Sequence, residues 1–108
     1  MIAVIFEVEM QDGQADRYFE LAAALREEVQ KVDGFVSVER FASISTPGRY
    51  VSLSFWRDAD SVARWHAHMG HRAAQAEGKA AIIRDFRIRV AEVTRDYRLA
   101  DRIAPGSP

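Results

Sequence analysis

Residues 55–72 read FWRDADSVARWHAHMGHR and hold both tryptophans and all three histidines of the chain. The segment begins as the end of an alternating strand and continues as a helix. Asp58 is placed to cap that helix. Val62, Trp65 and Met69 follow at spacings of three and four, which predicts one buried stripe. A strand that runs straight into an amphipathic helix is therefore the unit from which the fold can be worked out.

The residues before this segment predict a strand, a helix and a hairpin. Apolar side chains alternate over Ile2–Glu9, which indicates a strand with one strongly apolar face. Over residues 14–32 they recur every three or four positions, as in an amphipathic helix, and Gly34 supplies its stop. Alternation returns over residues 35–43 and 50–56, on the two sides of a Pro-Gly turn, and predicts a β-hairpin.

The residues after the segment predict one more strand, over Ile83–Tyr97. The order of elements is then β-α-β-β-α-β. With right-handed crossovers, this order builds an α+β, ferredoxin-like sandwich, in which a four-stranded antiparallel sheet carries both helices on one face. We expect a single domain over residues 1–97, followed by a polar C-terminal tail over residues 98–108.

The sheet face that the helices leave uncovered is also predicted to be apolar. Alternation places on this face several aromatic residues and two arginines of the last strand: Phe35, Phe41, Tyr50, Trp56, Arg87 and Arg89. This is too much apolar surface to leave in water. A second sheet packed face to face would cover it, and a symmetric homodimer is the simplest source. A cavity of mixed apolar and charged character would remain between the two sheets.

Composition limits the partners and the chemistry. The 108 residues are 48% hydrophobic and carry a formal net charge of -1, which gives no general attraction to nucleic acid or to an acidic membrane surface. There is no cysteine, so thiolate chemistry and cysteine metal ligands are excluded. No stretch has the features of a signal peptide or a membrane span, and a cytoplasmic protein is expected.

A combination of short motifs runs through the chain. These are Gly34-Phe35, Ser54-Phe55-Trp56 followed by Asp58-Ala59-Asp60-Ser61, Trp65, His71-Arg72-Ala73-Ala74-Gln75 with Gly78, and Asp85-Phe86-Arg87-Ile88-Arg89-Val90. The combination resembles the antibiotic biosynthesis monooxygenase family, a branch of the dimeric α/β-barrel superfamily, over residues 1–97. The resemblance implies a ferredoxin-like protomer that dimerises through its sheet. It also implies either a cofactor-independent monooxygenase that oxidises phenols to quinones or a haem-degrading enzyme.

The resemblance and the residue chemistry together suggest a site. His71 is the expected base for a phenolic proton, Trp65 a pocket residue and Arg87 an anion-stabilising charge. Substrate contacts are expected from a further set: Trp56, Arg89, Phe41, Tyr50 and Arg72. Plainer explanations stay open, because the tryptophans could be core residues and the arginines could form structural ion pairs.

The leading hypothesis is a small homodimeric monooxygenase that oxidises an aromatic or polyphenolic substrate with O2, without metal or flavin. The second is haem binding with oxidative haem cleavage. The third is a non-enzymatic dimer that binds a small apolar ligand. The chain has no asparagine, whereas both enzyme classes in the family place an asparagine in the pocket, so neither site is complete. No metal site is expected, because His68 and His71 alone provide too few ligands.

Overall fold

The computed structural model describes residues 1–75 and 82–103, with side-chain surroundings for residues 1–69 and 82–101. Its elements are β1 (Ile2–Met10), α1 (Ala15–Val29), β2 (Phe35–Ala42), β3 (Arg49–Trp56), α2 (Ala59–Gln75), β4 (Ile83–Glu92) and the one-turn helix α3 (Leu99–Ile103). The strands form one antiparallel sheet in the order β2-β3-β1-β4. The predicted ferredoxin-like sandwich is confirmed.

The C-terminal part differs from the prediction in two details. Strand β4 ends at Glu92, before the predicted end at Tyr97, although the Val93 amide still donates a hydrogen bond to the carbonyl of Met1 at 2.9 Å. The helix α3 lies inside the predicted polar tail. The division into a domain and a tail stays a prediction. Within the described ranges, no helix is both long and apolar enough to cross a membrane.

The helices cover the even-numbered side of β1. One buried cluster joins both helices to the sheet and consists of Val4, Val29, Trp56 and Val62. A second cluster lies beneath α1 and consists of Val8, Met10, Tyr18 and Ala22. Both clusters bury aliphatic and aromatic side chains between helix and sheet, which is the main stabilising contribution available to a domain of this size.

The predicted face of β3 is wrong. Trp56 pairs with Ile2 and Tyr50 pairs with Val8, so both aromatic residues point toward the helices like their β1 partners. Trp56 is only 1% exposed, and its indole N–H donates to the Ser54 hydroxyl at 2.9 Å. Alternation alone could not decide the face, because β3 is partly apolar on both sides and the pairing register determines which side is inward.

A register shift in β2 also corrects the predicted face of Phe35. The pairing with β3 shifts between Phe35 and Ser37, which leaves Val36 as the extra residue of a bulge. Phe35 therefore lies on the helix side, where its ring packs edge-on against Trp56 at 5.3 Å. Beyond the bulge, Phe41 points away from the helices, as predicted.

We call the side of the sheet away from the helices the open face. The pairing registers place on it Ala3, Ile5, Glu7 and Glu9 of β1, Ser37, Glu39 and Phe41 of β2, Arg49, Val51, Leu53 and Phe55 of β3, and Asp85, Arg87, Arg89 and Ala91 of β4. Phe41 is 47% exposed, and its neighbours Val51 and Leu53 are half-buried. The open face is thus apolar in its middle, as predicted, although its members differ.

A group of polar residues, which we call the corner, attaches the start of α2 to the loop between α1 and β2. Asp58 accepts hydrogen bonds from the Ser61 amide at 2.9 Å and from the Ser61 hydroxyl at 2.6 Å, which confirms the predicted cap. The Arg57 guanidinium bridges Asp33 and Asp58, and its backbone amide donates to the Gly34 carbonyl at 2.7 Å. The corner therefore sets where α2, with Trp65, leaves the sheet.

Gly34 is the tightest point of the corner. Its φ of 94° lies in the left-handed region that glycine tolerates best. A Cβ atom at this position would collide with the Ser61 hydroxyl, and Ser61 is fully buried. Backbone conformation and space therefore both require glycine here.

We predict that Gly34→Ala lowers the free energy of unfolding by about 2 kcal/mol or more, because it adds a buried collision to an unfavourable φ. Gly48→Ala is the matched control, since Gly48 has a φ of 88° but no neighbour within 4 Å of an added Cβ. We expect it to cost about 1 kcal/mol. Urea denaturation of both variants measures the difference, and equal losses would contradict the role given to Ser61.

The corner also predicts an acid-sensitive contribution to stability. The hydrogen bonds from Ser61, assisted by Arg57, hold the pKa of Asp58 well below its usual value of 3.8. The Arg57 guanidinium likewise lowers the pKa of Asp33. A carboxyl group whose pKa falls on folding stabilises the folded state above the unfolded pKa, and this stabilisation is lost as the pH falls.

We predict that Asp58→Asn lowers the urea midpoint at neutral pH, and that the gap to wild type narrows as the pH drops from about 5 to below 3. Asp60→Asn is the control, because it removes the same charge from the same helical turn but Asp60 makes no hydrogen bond within the described residues. A gap that stays constant over this pH range would show that the Asp58 charge is not responsible.

Candidate functional site

The helix side of β4 carries an apolar strip that the helices do not cover. Phe86, Ile88 and Val90 pair with even-numbered residues of β1, so they point to the helix side. They are nevertheless 51%, 45% and 53% exposed. The half-buried Phe6 of β1 extends the strip, with its ring centre 5.8 Å from that of Phe86. We call these four residues the β4 ledge.

Trp65 of α2 lies beside this ledge. It is half-buried and packs against the cluster that contains Val4, and Val4 pairs directly with Val90 of the ledge. Its ring centre is 6.4 Å from that of Trp56. Through Val4, the indole and the ledge belong to one apolar surface on the helix side of the sheet, which suits contact with a small, largely apolar molecule.

His68 stacks on the ring of Trp65. The two rings stack with centres 5.4 Å apart and planes tilted by 26°. The His68 Nε2 atom lies 3.7 Å from a carboxylate oxygen of Glu28 on α1, which makes an ion pair when the imidazole is protonated. His66 is exposed. Among the described residues, no group of three or more potential ligands could hold a metal ion.

The open face carries two ion pairs among the described residues. Arg89 donates to Glu7 at 2.6 Å, and Arg49 donates to Glu9 at 2.7 Å. The bond to Glu9 raises the pKa of the Arg49 guanidinium above its usual value. Arg87 makes no ion pair within the part of the chain that the structure describes. A cavity of about 200 Å³ opens here, lined by Glu7, Val8, Glu9, Arg49, Asp85, Phe86 and Arg87.

A buried phenol, that of Tyr18 on α1, lies in the cluster against which Phe6 of the ledge packs. Burial raises the pKa of Tyr18, and the nearby Arg40 guanidinium acts in the opposite direction. Arg40 also donates to the carbonyl of Ala22 at 3.4 Å, so it ties β2 to α1. Because Tyr18 is only 9% exposed and lies in the cluster with Val8, Met10 and Ala22, it contributes to the core.

The structure separates the residues that the sequence predicted as one site. Trp65 is on α2, and Trp56 is enclosed in the core. Tyr50 is on the helix side at the other end of β3, where its ring packs against Phe19 at 5.0 Å. Phe41, Arg87 and Arg89 are on the open face, as predicted. His71 and Arg72 have side chains outside the described residues.

The ledge is the part of the site that sequence reasoning missed. Alternation correctly placed Phe86, Ile88 and Val90 on the helix side, and that assignment implied burial. Their exposure depends on how far the two helices reach across the sheet, which local spacing does not report. The order of elements contained one signal: two helices must cover four strands, so a strand at the edge of the sheet can be left exposed on the helix side.

A profile of the antibiotic biosynthesis monooxygenase family matches residues 1–77 of the chain. The chain belongs to this family. The expected resemblance is therefore confirmed.

Two curated relatives are similar over part of their lengths. A Pyricularia oryzae protein named jasmonate monooxygenase ABM is 43% identical over 98 residues, which is 91% of this chain and 46% of the relative. The uncharacterised protein YqjZ of Bacillus subtilis is 32% identical over 62 residues, which is 57% of this chain and 53% of that protein. The chain thus spans about half the length of the curated relatives it matches.

Solved structures share the fold at low sequence identity. A Deinococcus radiodurans protein assigned to the same family superimposes with a TM-score of 0.73 and 17% identity, covering 92% of this chain and 98% of that one. The haem degrader MhuD of Mycobacterium tuberculosis, with two haems bound, superimposes with a TM-score of 0.69 and 19% identity, covering 91% and 100%. At these identities the likeness establishes the fold alone.

Proposed function

We propose that the chain is a monooxygenase that oxidises a small, largely apolar substrate held on the β4 ledge. The observation that carries this proposal is the exposure of Phe86, Ile88 and Val90 within an otherwise buried layer, beside the indole of Trp65. Exposed apolar patches of this kind favour ligand binding. Family membership supports oxygen chemistry as the reaction class.

The proposed substrate is an aromatic or polyphenolic compound whose own anion reduces O2. In an anthrone-like substrate, a ring CH2 group becomes a carbonyl, one oxygen atom enters the product and the other leaves as water with the two hydrogens. The ledge and Trp65 would contact the aromatic rings of the substrate and exclude water from them. We propose His71 as the base that takes the first proton.

Arg87 and Arg89 were expected in the substrate site, but within one protomer we do not include them in the proposed site on the ledge. They lie on the open face, and the sheet separates them from the ledge. An anion bound on the ledge would therefore need a stabilising group other than these two arginines, because apolar surroundings disfavour charge. Trp56 would support the site from beneath, through its contact with Trp65.

The Pyricularia oryzae relative offers a second substrate class. Its name gives jasmonate as the substrate, and the identity of 43% spans most of this chain. Jasmonate combines an apolar ring and side chain with a carboxylate, so it matches the apolar ledge but lacks an activated phenol. A substrate panel should therefore contain a hydroxylated anthrone and jasmonate side by side.

We predict oxidation of at least one of these two compounds in air above the buffer blank, measured by chromatography of the product. Ile88→Trp should reduce the rate about tenfold or more by filling the ledge, which corresponds to about 1.4 kcal/mol of lost transition-state stabilisation. Ile44→Trp is the matched control, because Ile44 is fully exposed in the turn after β2.

Product formation that equals the blank for both compounds, or that is unaffected by Ile88→Trp, would contradict the proposal. An unchanged rate in His71→Ala would remove the role of the histidine alone. A panel compound that binds, with an affinity reduced by Ile88→Trp, but is not converted would favour the alternative of a non-enzymatic ligand-binding protein.

Haem is the alternative ligand, and the described residues fit it poorly. The ledge offers no imidazole within the ranges described, since His68 stacks on Trp65 and faces Glu28. The chain also has no asparagine to act beside a bound haem. We therefore propose no haem-dependent step.

We predict that titration with haemin produces no saturable Soret shift at one haem per chain. The histidine variant His71→Ala is the control, because a ligated haem would lose its shifted band in that variant. A saturable shift that disappears in His71→Ala would contradict our assignment and favour haem binding.

We further propose that the protein acts as a homodimer through its open face, with no nucleic acid or membrane partner. Phe41 is 47% exposed there, and Val51, Leu53 and Phe55 are only half-buried. A second copy would remove this apolar surface from water. A cytoplasmic location stays a prediction from the sequence.

A further inference from the structure

The indole of Trp65 has an ionisable neighbour, His68, on the same helix. A spacing of three residues places the two side chains next to each other on one face of α2. Their ring centres are 5.4 Å apart and the ring planes are tilted by 26°, so the rings stack. Trp65 is half-buried against the cluster that joins both helices to the sheet, whereas the His68 side chain is 45% exposed. His68 is therefore the more exposed neighbour of the indole beside the ledge.

Glu28 of α1 faces the imidazole from the other helix. Its Oε2 atom lies 3.7 Å from the Nε2 atom of His68, a distance that suits an ion pair but is too long for a hydrogen bond. This oxygen is shielded from solvent, although the side chain as a whole is 31% exposed. A carboxylate oxygen removed from water is stabilised by a nearby positive charge, which a protonated imidazole supplies.

Other charges surround this pair along the two helices. Four more ionisable residues lie three or four positions from the pair: Arg64, His71 and Arg72 on α2, and Lys31 on α1. The Arg64 guanidinium donates to the Asp33 carbonyl at 2.8 Å and to the Ser61 hydroxyl at 3.2 Å, so it is engaged in the corner. Lys31 is exposed, and the other two side chains lie outside the described residues. Glu28 is thus the acidic group that the structure places within ion-pair distance of His68.

Protonation of His68 strengthens both of its contacts. The imidazolium attracts the Glu28 carboxylate, and as a cation stacked on an indole it gains a cation–π interaction with Trp65. Histidine changes its charge between about pH 5 and 8, so both contacts strengthen together as the pH falls through that range. The indole is then held between the apolar cluster and an imidazolium that is anchored to α1, which restricts its rotation.

We propose that His68 is a positioning residue for the ledge: anchored by Glu28, the protonated imidazole holds the indole of Trp65 in its stacked orientation, and ligand affinity falls when the imidazole loses its proton. This inference rests on the ledge site put forward as the proposed function. It adds a pH dependence that is separate from that of the proposed base, His71. An indole that is already ordered loses less conformational freedom on binding, so the effect is on affinity and not on the chemical step.

Tryptophan emission tests the charged stack without a ligand. An imidazolium in contact with an excited indole accepts an electron from it and quenches its fluorescence, whereas neutral imidazole quenches weakly. We expect wild-type emission to fall as the pH is lowered from about 8 to about 5. His68→Gln should remove this fall, and so should Trp65→Phe, which leaves the enclosed Trp56 as the emitter. His66→Gln is the matched control, because His66 is exposed on the same helix, and it should keep the fall.

Anaerobic binding tests the positioning role. Without O2 the hydroxylated anthrone and jasmonate bind without conversion, and equilibrium dialysis gives the Kd of each. Glu28→Gln should raise the Kd about threefold at about pH 6, and should match wild type at about pH 8.5, where the imidazole is neutral. Agreement at the higher pH also shows that the variant is folded. Glu27→Gln is the matched control, because it removes the same charge from an exposed neighbouring position of α1.

Steady-state kinetics separate positioning from chemistry. For whichever compound is oxidised in air, Glu28→Gln should raise KM about threefold at about pH 6 and leave kcat unchanged. Comparison of variant and wild type at the same pH cancels the titration of His71. A fall in kcat with KM unchanged would contradict positioning, because it would place the effect of Glu28 on the chemical step.

The outcomes separate this inference from the proposed function. Emission that does not change with pH, or a fall that persists in His68→Gln, would overturn the charged stack. A Kd that Glu28→Gln leaves unchanged at about pH 6 would overturn the positioning role while the ledge site stands. Absence of binding by both compounds would overturn the ledge site itself, and this inference with it.

Discussion

The buried contact between Ser61 and Gly34 is the constraint on which the helix layer depends. Ser61 is fully enclosed, so the backbone of the α1–β2 loop must pass directly over it without a side chain. Asp58 and Arg57 then hold this close approach with charged hydrogen bonds. Because α2 begins at this point, the contact determines where α2 and Trp65 leave the sheet.

The order of elements was predictable because it depends on local periodicity. Alternation found all four strands, and helical spacing found both long helices, including the Asp58 cap. The inward face of β3 was not predictable, because Trp56 and Phe55 are equally apolar and only the pairing with Ile2 decides between them. The bulge at Val36 is a second non-local feature, and it reversed the expected position of Phe35.

The candidate site was predictable only in part, and for the same reason. Trp65 was identified from its helix, and Arg87 and Arg89 were assigned to the correct side of the sheet. Trp65 packs on the helix side of the sheet, whereas Arg87 and Arg89 lie on the opposite side, so these side chains do not converge within one protomer. The apolar ledge escaped prediction because its exposure is set by the reach of two helices over four strands, a tertiary property.

The alternation of β4 has a consequence for how the protein can change. Its even-numbered positions border the ledge and its odd-numbered positions belong to the open face. A substitution at Ile88 therefore alters one surface and a substitution at Arg87 the other, so the two surfaces can change separately through point mutation. Insertion or deletion of one residue would exchange the two surfaces at once, so the length of this strand is the property least free to vary.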